Sequence, residues 1–126
     1  MIVEAPISVG ELVDKVSILL LKLHLINDKE KAAQAGKEFK LLHGIYQEVT
    51  NQQIDELFDD LYKVNKELWD IEDSIRIKEK QKLFDDEFIQ LARSVYITND
   101  KRAEIKRKIN QVAGSDIMEV KSYEQY

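Results

Sequence analysis

An unbroken apolar repeat in the middle of the chain most constrains the fold. Its members alternate in steps of three and four residues over about three heptads, and they are Ile54, Leu57, Leu61, Val64, Leu68, Ile71 and Ile75. This spacing places all of them on one stripe of an α-helix. The 126 residues include only one Pro and four Gly. Because so few residues interrupt helices, long helices are predicted throughout.

The spacing and the capping residues predict an all-α fold, a four-helix antiparallel bundle with a short C-terminal tail. We expect one domain with helices near 8–26, 28–50, 52–81 and 85–113, and a tail at 114–126. Ser8 and Glu11 fit a capping box at the first helix, and Asp85 fits an N-cap at the fourth. The first helix has the widest apolar face, so we expect it to be the most buried.

Composition excludes several kinds of site. The chain has no Cys, so neither a disulfide nor a thiolate metal site can form, and its two His cannot make a His-rich metal centre within one chain. A net charge of −5 argues against nucleic acid as a partner. We find no signal peptide and no membrane-spanning run, so we expect no membrane partner and a cytoplasmic location.

The third predicted helix has a second stripe that changes from aromatic to polar. It comprises Phe58, Tyr62, Asn65, Trp69, Glu72 and Arg76. Glu72 and Arg76 are four residues apart and can pair along the helix. The fourth helix has a matching polar interruption at Thr98, Asn99 and Arg102. If these helices are antiparallel neighbours, the polar side chains can meet, either as a satisfied network or as a ligand site between helices.

Two further patterns suggest binding chemistry. Glu11 with Asp14, and Glu67 with Asp70, are carboxylate pairs at i,i+3 spacing. Together they can hold Mg²⁺, which prefers oxygen ligands, but the signal is weak, and a helix cap and solvated faces explain the pairs better. No other cofactor is expected. The basic residues between Lys101 and Lys108 can hold phosphate or carboxylate groups or form a solvated face.

Several short motifs in order resemble a known family. They are SVGELVDK at 8–15, LWDIED at 68–73, ARSVYITNDKR at 92–102, KIN at 108–110 and KSY at 121–123. This set resembles a family of small all-helical bacterial and phage proteins of unknown function. The resemblance implies that helices one, three and four and the tail form the common unit, and it transfers no catalytic residue. The polar motif positions suggest a pocket made by Asp14, Lys15, Trp69, Glu72, Arg93, Tyr96, Asn99 and Arg102.

These features favour a binding or assembly module that forms a homodimer and holds an anionic small molecule or a partner segment in a pocket between helices. Two enzyme classes remain open by analogy. Helical nucleotide pyrophosphohydrolases hold Mg²⁺ with acidic pairs, although their E-E-x-x-E element is absent here. Helical chorismate mutases need no cofactor and fix a dicarboxylate with Arg and Lys, a role open to Lys15, Arg93 and Arg102. A purely structural accessory protein is the third alternative.

Overall fold

The computed structural model describes residues 1–126 and contains four α-helices and no strand. The helices are α1 (Val9–Leu25), α2 (Lys29–Val49), α3 (Gln52–Gln81) and α4 (Asp86–Ala113). The all-α helical bundle predicted from the sequence is therefore confirmed. Residues 115–126 form an extended tail without regular secondary structure. None of the helices combines the length and the apolar character that crossing a membrane requires.

A polar side chain starts each helix by accepting a hydrogen bond from a backbone N–H that has no partner within the helix. These residues are Ser8, Asp28, Asn51 and Asp85. The capping box expected at α1 forms only in part. Ser8 Oγ accepts from the Glu11 N–H at 3.1 Å, but the Glu11 carboxylate binds Lys106 Nζ on α4 at 2.8 Å. That side chain therefore links two helices.

Helix α1 is the centre of the bundle because it packs against all three other helices, whereas α2 packs mainly on α1. Eight of its 17 residues are buried, more than in any other helix, as its wide apolar face predicted. The main core lies where the first half of α1 meets the end of α2, the start of α3 and the end of α4. It comprises Leu12, Val13, Val16, Tyr46, Ile54, Leu61 and Ile109.

Helices α1 and α4 run antiparallel. Gly10 contacts Asn110 and Asp14 contacts Arg102, so residue numbers rise along α1 while they fall along α4. Helices α3 and α4 are joined by a short turn, and Lys78 Nζ spans it to Asp85 at 2.9 Å. The outer part of this α3–α4 hairpin, residues 72–97, contains no buried residue. This part of the hairpin lies beyond the apolar core.

Gly10 allows α1 and α4 to approach closely. A Cβ at this position would lie 2.6 Å from the backbone oxygen of Lys106 and 2.9 Å from Asn110 Oδ1. Without a side chain, the Gly10 N–H can donate to Asn110 Oδ1 at 2.7 Å. The end of α4 thus satisfies one of the free amides of the first turn of α1.

This contact predicts opposite effects for two Gly→Ala substitutions. Gly10→Ala should lower the free energy of unfolding by about 2 kcal/mol, because a backbone atom must move to make room. Gly44→Ala, in α2, meets no atom within 4 Å and should raise it by about 0.5 kcal/mol through better helix propensity. Urea unfolding measures both values. Equal effects of the two substitutions would contradict a tight α1–α4 contact.

Candidate functional site

A buried carboxylate lies at the centre of the candidate site. Gly10, Asp14, Ser17 and Leu21 follow steps of four, three and four residues and therefore share one side of α1. All four are buried, and Asp14 is completely inaccessible to solvent. A buried carboxylate costs several kcal/mol unless charged and polar partners compensate it. The surrounding helices supply those partners.

Three helices contribute to the hydrogen bonds around Asp14. From α4, Arg102 donates through Nε to Asp14 Oδ1 at 3.0 Å and through Nη2 to Oδ2, which makes a bidentate ion pair. From α3, Asn65 Nδ2 donates to Asp14 Oδ1 at 3.0 Å and to Ser17 Oγ at 2.8 Å. No buried side-chain polar atom of the protein lacks a partner. The Asp14 network is thus a satisfied polar network that joins α1, α3 and α4.

Lys106 extends the network from α4 to the tail. Its side chain is only 8% exposed, and Nζ lies 2.8 Å from Glu11 Oε2, 2.9 Å from Glu119 Oε2 and 4.0 Å from Asp14 Oδ2. Burial lowers the pKa of Lys106, but the hydrogen bonds to Glu11 and Glu119 outweigh it and raise the pKa above its ordinary value. The hydrogen bond from Lys106 likewise lowers the pKa of Glu119. Both groups are therefore charged near neutral pH.

One cleft, here named the Trp69 cleft, lies between α1, α3 and α4. Its volume is about 390 Å³. Its apolar wall is formed by Ile18, Leu21, Leu68 and Trp69, and its polar lining by Asn65, Glu72, Asp73, Asn99 and Arg102. The cleft combines an aromatic surface with several hydrogen-bonding groups, as small-molecule sites commonly do.

The second cleft, here named the Lys106 cleft, lies between α1, α4 and the tail. Its volume is about 210 Å³, and it is lined by Glu11, Arg102, Ala103, Lys106, Glu119 and Lys121. Arg102 borders both clefts. A guanidinium has five N–H groups, and Asp14 engages two of them. Three N–H groups remain on a side chain whose position is already fixed.

Five of the eight residues predicted for the pocket lie together. Four of them line the Trp69 cleft: Trp69, Glu72, Asn99 and Arg102. The fifth, Asp14, accepts hydrogen bonds from Arg102. Glu72 also pairs along α3 with Arg76, with Nε and Oε2 3.1 Å apart. The three other predicted residues are Lys15, Arg93 and Tyr96.

The structure does not bring these three residues to either cleft. Lys15 is exposed, because one residue turns a helix by about 100° and directs it away from Asp14. Arg93 is also exposed and lies nine residues before Arg102, roughly 13 Å along the axis of α4. Tyr96 packs against the ring of Tyr126 in the tail. The pocket is therefore smaller than the motif residues suggested.

The four carboxylates considered for Mg²⁺ do not converge. Glu11 and Asp14 bind Lys106 and Arg102, Asp70 pairs with Lys66 on the surface of α3, and Glu67 is exposed. No group of three or more His, Asp or Glu side chains is arranged to hold a metal ion. Glu11 and Asp14 both face α4, whereas Glu67 and Asp70 lie on the surface of α3. The two pairs are therefore not directed at one common point.

The residues considered for the two enzyme classes are dispersed. The four carboxylates of the acidic pairs form no metal-binding group, and of Lys15, Arg93 and Arg102 only Arg102 borders the Trp69 cleft. Both enzyme classes stay predictions. The arrangement does provide a fixed hydrogen-bond donor beside an aromatic wall.

Sequence reasoning named Lys106 only as one of the basic residues between Lys101 and Lys108, without separating it from a solvated face, and it missed Glu119. Arg102, Lys106 and Asn110 recur at steps of four residues, which places them on one face of α4 opposite α1. That spacing was a usable signal, although the surrounding Lys and Arg residues obscured it. Glu119 lies in the tail, where no periodic pattern indicates a contact with α4.

Comparison with known proteins identifies the family but no activity. The chain belongs to the DUF6165 family, a family of unknown function whose model matches residues 1–126. No curated protein and no solved structure shows significant similarity to it. The resemblance noted in the sequence to a family of unknown function is thereby supported, and any function must be argued from the site itself.

The Asp14–Arg102 pair gives a testable difference between two arginines of α4. Arg102→Gln should lower the free energy of unfolding by about 3 kcal/mol, because it leaves a buried carboxylate without its main charged partner. Arg93→Gln, at an exposed position, should change it by less than about 0.5 kcal/mol. Urea unfolding near neutral pH measures both. A loss below about 1 kcal/mol for Arg102→Gln would show that the pair does not hold the helices together.

Proposed function

We propose that this protein is a cytoplasmic binding module whose Trp69 cleft holds a small molecule with one anionic group beside an apolar or planar body. The observation that carries the proposal is Arg102, which lines the cleft, is fixed by Asp14 in a bidentate pair and has three further N–H groups available. No reaction is part of the proposal.

The geometry favours a carboxylate as the anionic group. An Arg guanidinium matches the two oxygens of a carboxylate and binds them better than a Lys ammonium does. Because Asp14 already orders Arg102, binding loses little side-chain entropy there. Asn99 is half-buried at the same cleft, and its amide can add a further hydrogen bond. Trp69 and Leu68 provide the surface for the apolar body.

The charges around the cleft argue against a polyanion. Asp14 neutralises Arg102, Arg76 neutralises Glu72, and Asp73 adds a further negative charge at the rim. Long-range attraction of anions is therefore weak, and recognition depends on short-range hydrogen bonds. A ligand with a single carboxylate suits these charges better than a nucleoside triphosphate.

A matched pair of probes tests the proposal. Trp69 is the only Trp, so its fluorescence reports on the cleft directly. Adding 3-phenylpropionate should change the emission in a saturable way, and 3-phenylpropionamide should bind about tenfold more weakly because it lacks the charge. Arg102→Lys should weaken the binding of 3-phenylpropionate by about tenfold while keeping the positive charge next to Asp14. Arg93→Lys should leave this affinity unchanged. Equal affinity for acid and amide would contradict the proposal.

A second candidate function is self-association through the outer α3–α4 hairpin. Residues 72–97 contain no buried residue, yet Ile77, Leu83, Phe84 and Ile89 are exposed there. Four cations and one carboxylate lie between Arg76 and Lys82, and three carboxylates lie between Leu83 and Glu87. Lys78 already pairs with Asp85 and Glu87 of its own chain. In a homodimer whose two-fold axis sets each segment against the other segment of the partner, the remaining charges are complementary.

Sedimentation tests this second candidate. The wild-type chain should be dimeric at high micromolar concentration, and Phe84→Glu should make it monomeric by placing a charge in the apolar contact. Leu41→Glu, at an exposed apolar position on α2, should leave the dimer intact. If the wild-type chain is monomeric at that concentration, self-association through the hairpin is contradicted, and the proposed ligand site is unaffected.

A further inference from the structure

We propose that the Lys106 cleft is a carboxylate-binding site that the chain fills with its own Glu119, and that a carboxylate from another molecule binds there when the tail detaches. Lys106 and Glu119 do not border the Trp69 cleft, although Arg102 lines both clefts. Failure of the ligand proposed for the Trp69 cleft leaves this second site unaffected.

The cation of the site is built into the bundle. The Lys106 side chain is almost fully buried, and Glu11 on α1 fixes its Nζ at 2.8 Å. Arg102, one turn earlier on α4, lines the same cleft and is fixed by Asp14. Ordinary surface lysines move freely, whereas these two cations are ordered before any ligand arrives. Preordered donors lose little entropy when they bind a carboxylate.

Glu119 occupies this site in the manner of a ligand. Its Oε2 lies 2.9 Å from Lys106 Nζ, and its side chain is 40% exposed at the cleft mouth. The tail that carries it has no regular secondary structure, and Val120 and Tyr123 beside it are largely exposed. Within the tail, Ser115 Oγ donates to the carbonyl of Ile117, and Tyr126 at the far end donates to Asp100. The Glu119 carboxylate therefore binds a site formed by the helices, while the tail segment that carries it is exposed.

The tail can detach at small cost. When Glu119 leaves, the buried Lys106 ammonium keeps its pair with Glu11. Residues 116–126 are all exposed, and Tyr126 attaches the end of the tail through Tyr96 and Asp100. After detachment, two cations, Arg102 and Lys106, face two carboxylates, Glu11 and Asp14. These charges cancel, so short-range hydrogen bonds from Lys106 and Arg102 must hold a further carboxylate, and no excess charge is left to hold a polyanion. The carboxylate can belong to a free molecule or to an acidic residue of a peptide.

A comparison of two full-length variants tests the proposal. Glu119→Gln removes the charge that occupies the site, and Glu124→Gln removes a charge from the same tail at an exposed position without a charged partner. The probes are glutarate and a capped peptide with the sequence of residues 115–126. Binding is followed by the amide and side-chain NMR signals of Lys106 and its neighbours. Trypsin cleavage after Lys121 reports how often the tail is detached.

Glu119→Gln should bind at least one probe about tenfold more tightly than wild type, because an internal competitor lowers apparent affinity by the fraction of time it occupies the site. It should also be cleaved faster after Lys121, and Glu124→Gln should match wild type in both measurements. Binding of glutarate identifies a free carboxylate as the source, and binding of the peptide alone identifies an acidic segment. The proposal is overturned if neither probe binds Glu119→Gln, if both variants bind equally, or if cleavage after Lys121 is unchanged.

Discussion

The bidentate ion pair between Asp14 and Arg102 is the interaction on which the arrangement of helices depends. A carboxylate that is completely buried destabilises a fold unless its charge is compensated, and here α4 supplies the guanidinium while α3 supplies the Asn65 amide. A bundle with α1 shifted along α3 and α4 would leave Asp14 without these partners. One turn earlier, Gly10 fixes the distance between α1 and α4. Charge and close packing thus select the same relation between the helices.

Apolar packing is dense at one end of the bundle and sparse at the other, and the clefts lie where the dense packing ends. The apolar core lies at one end, around Val13, Ile54 and Ile109, and no residue is buried in the outer hairpin, 72–97. The polar network lies between these two regions, where α1 still contacts α3 and α4. Because the apolar core ends there, space remains between the helices beside Trp69. Because Arg102 lies at this boundary, Asp14 can fix its guanidinium while the side chain still lines an open cleft.

Arg102 connects the two clefts physically because it lines both of them. Its partner Asp14 also lies 4.0 Å from Lys106 Nζ, so a change of charge at the tail acts on the same group that orients the guanidinium. Helical bundles carry many unrelated activities, and the family assignment adds none. The chemistry available here therefore follows from these few charged groups: two ordered cations, each held by a buried or partly buried carboxylate.

The sequence by itself determined the helices, because apolar spacing and capping residues act within a few positions of the chain. It also indicated the polar stripe of α3 that includes Asn65, Trp69 and Glu72, and the Glu72–Arg76 pair, since both follow from helical geometry alone. Tertiary structure decided which charges turn inward. The pairs of Asp14 with Arg102 and of Lys106 with Glu11 are separated by 88 and 95 residues, and Lys106 lies in a charged run that resembles a solvated face. Local sequence cannot distinguish an inward lysine from an outward one, because only the neighbouring helix supplies the carboxylate that makes burial of the charge favourable.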